Sequence, residues 1–369
     1  MIIKTIFTII MCLSCLVAIV GAKAQESDFV RAKVIKVNFT GKNQAQPPEF
    51  EQFVDVEFLE GAKKGQKFEF LQYNRTLPST GEVPNYQQLN LGDEIVLIKT
   101  SNTEYQVDDK YRLGNIAWIL GFVIGIFVVF YRKKALLSLA CLIGTIFAIA
   151  NWLIPVISSG QDPVIWSLGI SSLVMLVSIL VTHGFNKISY SALVSVLITI
   201  LATSIFGVFA IQFGQMQGNS EYNIFLQSRG LDLRGVLFAG ILIGTLGVLD
   251  DIAITQAICV DQSNENHLQN AIKMGTEHLG SMINTLALAY LGSFLPALLV
   301  LTDSKSQEGR PLWIVLNSEL LQAEIIRTIV GVFALLIIVP ISTVVSLIFI
   351  KKYTLKQIWQ EINFGLKKM

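Results

Sequence analysis

Hydrophobic and polar positions follow two different rhythms along this chain. From about residue 29 to residue 112 they alternate in short runs, VRAKVIKVN, QFVDVEFL, GQKFEFLQY, GDEIVLIKT and EYQVDD, separated by Gly, Pro and Asn. Alternation with a period of two puts one face of each run on a core and the other in water, so five short β-strands are expected. Beyond Arg112 the apolar runs become long and nearly continuous. A helix needs about 20 such residues to cross the hydrocarbon of a bilayer. Seven segments are read this way: 114–130, 135–156, 163–182, 190–211, 235–258, 280–301 and 325–350.

Ahead of both regions stands MIIKTIFTIIMCLSCLVAIVGAKAQ, with an early Lys4, an apolar stretch from Ile6 to Val20 and an Ala22-Lys23-Ala24 step that suits a signal peptidase. Residues 1–24 are therefore read as a signal peptide, with an uncleaved anchor helix as the alternative. Residues 25–112 form a β-rich domain outside the cytoplasm, 113–350 a transmembrane domain, and 351–369 a basic cytoplasmic tail. The fold class expected is an α-helical polytopic membrane bundle of about seven transmembrane helices carrying a small N-terminal all-β extracytoplasmic domain. A small barrel or sandwich fits that domain, an OB-like barrel among them.

Composition agrees with a lipid-bilayer protein. Of 369 residues, 52% are hydrophobic and 15% charged, and the mean hydropathy is +0.57, well above that of soluble domains. A net charge of +1 with no basic cluster outside the ends of the apolar runs excludes a nucleic-acid partner. Arg132, Lys133 and Lys134, then Lys187, Lys273, Lys351, Lys352, Lys356, Lys367 and Lys368 fall on one side of the seven-span arrangement. Arg229, Arg234, Lys305 and Arg310 fall on the other, where the first connection has no basic residue. Positive residues in short loops tend to stay inside, so the C-terminus is expected in the cytoplasm of a bacterial plasma membrane, with the β-rich domain outside. Cys12, Cys15, Cys141 and Cys259 offer neither a disulfide framework nor zinc spacing. No Walker loop, HExxH or GxSxG appears, so no metal, cofactor, nucleotide or enzyme activity is expected.

Candidate chemistry sits in GTLGVLDDIAITQ, where Asp250 and Asp251 interrupt an apolar run. At 100° per residue, Gly240, Gly244, Gly247, Asp251 and Thr255 share a strip about 80° wide, with Asp250 off one edge. Small residues let a second helix approach closely, so that strip is expected to face the bundle and to bring Asp251 inside. Two carboxylates held close in a low dielectric repel, which favours a proton on one of them. In the sixth segment Ser281, Thr285, Gly292 and Pro296 line a second strip bordered by Asn284. Asp250, Asp251, Asn284 and Thr285 are the candidates for a proton relay, and Gly240, Gly244, Gly247, Gly292 and Gly331 for a helix-packing seam. Plain packing is the alternative for the Ser, Thr and Gly positions. Glu324 and Arg327, three apart in the seventh segment, are read as an ion pair at the membrane boundary.

Three runs, GLDLRGVLFAGILIGTLGVLDDIAITQA, GTEHLGSMINTLALAYLGSFLP and AEIIRTIVGVFALLIIVPISTVVS, together with DDKYRLGNIAWILGFVIGIF, resemble the YibE/F family of bacterial multi-pass membrane proteins. The resemblance implies an inner-membrane protein with an exported N-terminal portion. VLDDIAITQA and Asn284-Thr285 are also similar in layout to the proton-relay helices of resistance-nodulation-division pumps and SecDF, although seven spans replace twelve and the large paired periplasmic domains are missing. The function expected is that of a transporter or transport-assisting protein, proton-coupled through the aspartates, acting as a homo-oligomer on an unknown substrate. The alternative is a non-transporting envelope assembly or scaffold factor that binds an exported protein through its β domain. An intramembrane protease would draw its two aspartates from two helices.

Overall fold

The computed structural model describes residues 29–42, 49–61, 63–75, 88–99, 105–218, 230–263, 267–302, 311–354 and 356–357. The signal segment and nearly all of the basic tail lie outside them, as do Arg229, Lys305 and Arg310. The chain divides between Lys133 and Lys134 into two compact units.

The first unit holds the five strands β1 (Phe29–Lys42), β2 (Glu49–Phe58), β3 (Lys67–Arg75), β4 (Glu94–Lys99) and β5 (Tyr105–Lys110). They form one antiparallel sheet in the order β3-β2-β1-β4-β5. Alternation acts as the sequence suggests: Ala32, Val34, Val54, Val56, Ile95 and Leu97 fill a core of their own. Register shifts after Val34 and Val37 add twist to β1. Tyr105 of β5 meets Phe58 of β2 at 5.1 Å and Phe68 of β3 at 5.5 Å between ring centroids, so the sheet curls on itself toward a partly open barrel. Gln52 is buried because its amide closes two hydrogen bonds with the Leu89 backbone, at 2.7 and 3.0 Å. Beyond β5, Arg112 pairs with Asp109 at 2.6 Å in water.

The helices are α1 (Leu113–Ala148), α2 (Ile154–Ser158), α3 (Pro163–His183), α4 (Lys187–Phe213), α5 (Leu233–Gln262), α6 (His267–Thr302), α7 (Leu312–Leu316) and α8 (Glu319–Phe349). A π-helical turn, Ile149–Leu153, joins α1 to α2 just before Pro155, whose missing N–H loosens the ladder. α1 runs without interruption through Arg132, Lys133 and Lys134, where the charge pattern suggested a loop. Arg and Lys are good helix formers, and no Gly or Pro stands there to stop the helix. Among the described residues six stretches are long and apolar enough to cross a membrane, from 136–158 to Glu319–Phe349, and the apolar stretch Leu113–Ile126 is shorter. The chain is thus a multi-pass membrane protein with an N-terminal five-stranded sheet.

Side-chain oxygens close the helix starts where the sequence provides them. Asp162 accepts from the Val164 and Ile165 amides, Asn186 from that of Ser189, and Asp232 from that of Arg234. Gly184, at φ +81°, ends α3. In the second unit α5 packs on α3, α4 and α8. Ser191, Ser195, Thr199 and Thr203, four apart on α4, are all buried. Small polar residues of this kind let α4 and α8 approach until Ser191 and Ser346 share a hydrogen bond at 2.7 Å. Ser342 of α8 donates to the Ala253 carbonyl, and Gln256 of α5 to Thr343, further polar cross-links of the core.

Candidate functional site

α5 is the most buried span, and its rotation decides where the two aspartates go. Its buried strip is the bulky one, Leu242, Leu246, Leu249, Ala253, Gln256, Ala257 and Val260. Adjacent helical residues point 100° apart, so Asp250 and Asp251 cannot face one neighbour. Asp250 is half-buried against α3, where the Ser178 hydroxyl donates to its Oδ2 at 3.2 Å. Its Oδ1 is buried with no hydrogen-bond partner, and His183 at the end of α3 stands near enough to act on it electrostatically. Beside this site the Thr182 hydroxyl donates to the Cys141 sulfur at 3.5 Å.

Asp251 is exposed, together with Gly240, Gly244, Gly247 and Thr255. The expectation that the glycine strip turns Asp251 into the bundle is therefore corrected. Large apolar side chains bury more surface than glycines, and in a single chain their strip takes the inner face. Asn284 and Thr285 are also exposed. Leu286 and Tyr290 make the inward contacts of α6, so the strip of Ser281, Thr285 and Gly292 lies on its other side. The Thr285 hydroxyl donates to its own Ser281 carbonyl at 2.9 Å. The four relay candidates do not converge, and Asp250 alone faces the interior.

The packing candidates divide in the same way. A Cβ on Gly331 would stand 2.7 Å from Leu286, and one on Gly244 2.5 Å from the Tyr290 hydroxyl, so α6 docks into these two notches. Gly240 lies near the Arg327 guanidinium, while Gly247 and Gly292 have nothing within 4 Å. Glu324 and Arg327 form the expected pair at 2.6 Å, with the guanidinium 5.9 Å from the Tyr290 ring centroid. Glu324 Oε2, Arg327 Nε and the Tyr290 hydroxyl are buried without hydrogen-bond partners. Among the described residues no group of three His, Cys, Asp or Glu side chains comes together to hold a metal ion.

Sequence reasoning missed Ser178, His183 and Tyr290. Ser178 had a readable signal: Ser167, Ser171 and Val174 precede it at spacings of three and four on the inner face of α3. A family model described as YibE/F-like protein matches residues 119–352. No curated protein and no solved structure gives a match.

Proposed function

The chain is a membrane protein of the YibE/F-like family, and from that premise we propose that it is a bacterial plasma-membrane transporter or transport-assisting protein, proton-coupled through Asp250. One observation carries the reading: a carboxylate between two packed spans is hydrogen-bonded only by a serine, and no cation among the described residues bonds to it. An ionisable group at such depth is expensive to keep and marks a proton or substrate path in membrane proteins. The partly buried location of Asp250 makes gain and loss of a proton a change in how α3 and α5 fit. His183 stands in the last turn of α3. Asp251 stands outside this path, and no enzymatic step is assigned.

The proposed orientation follows from charge. Counting the six spans from 136 onward, the charged stretch 132–134, the connections at 184–187 and 263–273 and the tail from 350 all fall on one side, and their lysines and arginines favour that side as the cytoplasmic one. A β-rich unit on the outer side requires in addition that α1, unbroken over Leu113–Ala148, reverse at 132–134 in the membrane, so that 113–130 crosses as a separate span. We read the working unit as a homo-oligomer, because the chain alone leaves polar membrane faces uncovered.

The test is proton flux into liposomes carrying purified protein under an imposed pH gradient. Asp250→Asn should lower flux on the order of 100-fold, the scale of a lost acid–base group, while Asp251→Asn leaves the Asp250 path in place. Equal flux from Asp250→Asn and the unaltered protein removes the proton role. The independent core of the β-rich unit favours a second reading, an envelope assembly factor whose sheet binds an exported protein. Crosslinking of residues 29–110 to such a protein, with no flux, would select it.

A further inference from the structure

Two faces of the helical unit carry exposed polar residues. On α5, Gly247, Asp251 and Thr255 are exposed, and nothing lies within 4 Å of where a Gly247 Cβ would be, while Gly244 and Gly240 on the same strip meet Tyr290 of α6 and Arg327 of α8. Among the described residues Asp251 has no hydrogen-bond or ion-pair partner. On α6, Ser281 and Asn284 are exposed, and neither side chain has a hydrogen-bond partner within the described chain. The α6 span, Leu279–Pro296, has the lowest mean hydropathy of the six, 1.2, and only 11% of it is buried. The least apolar span is thus among the least covered, the reverse of what lipid contact selects.

Contacts within the chain show that these faces lie at one depth. Gly275 of α6 lies against Gln256 of α5, and Tyr290 of α6 against Gly244 of α5. Asp251 falls between the two α5 positions, and Ser281 and Asn284 fall between the two α6 positions. A carboxylate that needs donors and an amide and hydroxyl that need an acceptor therefore occupy one level of the membrane. A second copy inserted in the same orientation, related by a two-fold axis along the membrane normal, keeps every residue at its depth and presents each face to its counterpart.

We propose that the chain forms a homodimer through α5 and α6, in which Asp251 of each copy accepts hydrogen bonds from the partner's Asn284 and the partner's Ser281. Gly247 and Thr255, each four residues from Asp251, supply the small surface that lets the helices approach, as small residues do in membrane helix pairs. The second copy completes a site that one chain leaves half-built, with Asp251 as its structural acceptor. The inference rests on the membrane reading of the chain and not on proton coupling.

The test uses the full chain in lipid nanodiscs. Two differently tagged copies, one with Asp251→Cys and the other with Asn284→Cys, each with the native cysteines replaced by serine, are treated with a short bis-maleimide. A product carrying both tags is expected. The same treatment of copies bearing Ile205→Cys, on an exposed face of α4, should give none. In native mass spectrometry the unaltered protein should be dimeric, and Gly247→Leu should lower the dimer fraction at least about tenfold through overpacking of the interface. Its melting temperature should hold, because the single chain has open space there. A monomeric unaltered protein, equal crosslinking at Ile205→Cys, or a Gly247→Leu variant that stays dimeric overturns the proposal. A Gly247→Leu variant that fails to fold overturns it too, because that face is then not open in one chain. A dimer without proton flux keeps the interface and removes the proton reading, and flux from a monomer does the reverse.

Discussion

Asp109–Arg112 and Glu324–Arg327 are one interaction in two surroundings. Both join residues three apart with a nitrogen–oxygen distance of 2.6 Å. In the first pair the side chains are 59% and 52% exposed, in the second 18% and 27%. The exposed pair has water for every remaining lone pair and N–H. The buried pair leaves Glu324 Oε2 and Arg327 Nε with no hydrogen-bond partner, beside a Tyr290 hydroxyl in the same condition. Distance and spacing, the only features that sequence can suggest, are shared, so the difference in energetic weight comes from solvent.

The largest expected effect tests that difference directly. Glu324→Ala leaves Arg327 between α5, α6 and α8 without its counter-charge, and removing one partner of a buried pair costs about 3 to 5 kcal/mol. Partial exposure of the arginine puts this site at the low end. Replacing both partners with apolar residues of similar volume, Glu324→Leu with Arg327→Met, should recover most of the loss, because apolar packing carries no desolvation penalty. Equilibrium unfolding in mixed detergent micelles measures both variants. A double replacement no more stable than Glu324→Ala would mean that the ion pair is itself a net contributor.

A smaller effect of opposite sign is expected at Tyr290. Its hydroxyl fits the Gly244 notch without bonding to anything, and an unsatisfied buried polar group costs about 1 to 3 kcal/mol. Tyr290→Phe should therefore be neutral or stabilising by up to about 1 kcal/mol, since the ring keeps its packing while the orphaned hydroxyl is lost. Gly244→Val should instead destabilise by about 1 to 3 kcal/mol, because the new side chain meets the Tyr290 ring. In the combined variant the first change should soften the second. A clear loss from Tyr290→Phe would show that the hydroxyl holds a hydrogen bond to water or ligand in the membrane.

These contrasts also mark which parts of the molecule were legible in the sequence. Period-two alternation located all five strands, since each has one wet face and one dry face. Long apolar runs located the helical spans for an equally simple reason. Rotation of those spans was not legible. Around α5 nearly every position is apolar or small, so the pattern gives no direction, and glycine spacing pointed Asp251 inward when Leu246, Leu249 and Ala253 hold the inner face. The outward turn of Asn284 and Thr285 was hidden for the same reason. Arg132, Lys133 and Lys134 suggested a turn because charge leaves the membrane, but charge alone does not end a helix. The Glu324–Arg327 pair was readable because a spacing of three on a helix leaves little choice of neighbour.

The smallest effect expected is at Asp109, and its sign is fixed. The hydrogen bond from the Arg112 guanidinium, helped by the Lys110 amide, holds the Asp109 carboxyl below its usual value of 3.8. A lowered folded value means that the carboxylate form is favoured by folding, so its contribution is complete above pH 3.8 and disappears as pH falls through the lowered folded value. Between pH 5 and pH 8 the pair should therefore add no slope to the stability of the β-rich unit. Because both side chains stand in water, Asp109→Asn should leave the melting temperature at neutral pH essentially unchanged, and added salt should narrow even that difference by screening. Thermal melts of the full chain, followed by a probe in the β-rich unit at low and high salt, measure both. A marked loss at neutral pH that persists in high salt would show that Asp109 is shielded from water, and the contrast with Glu324 would fail.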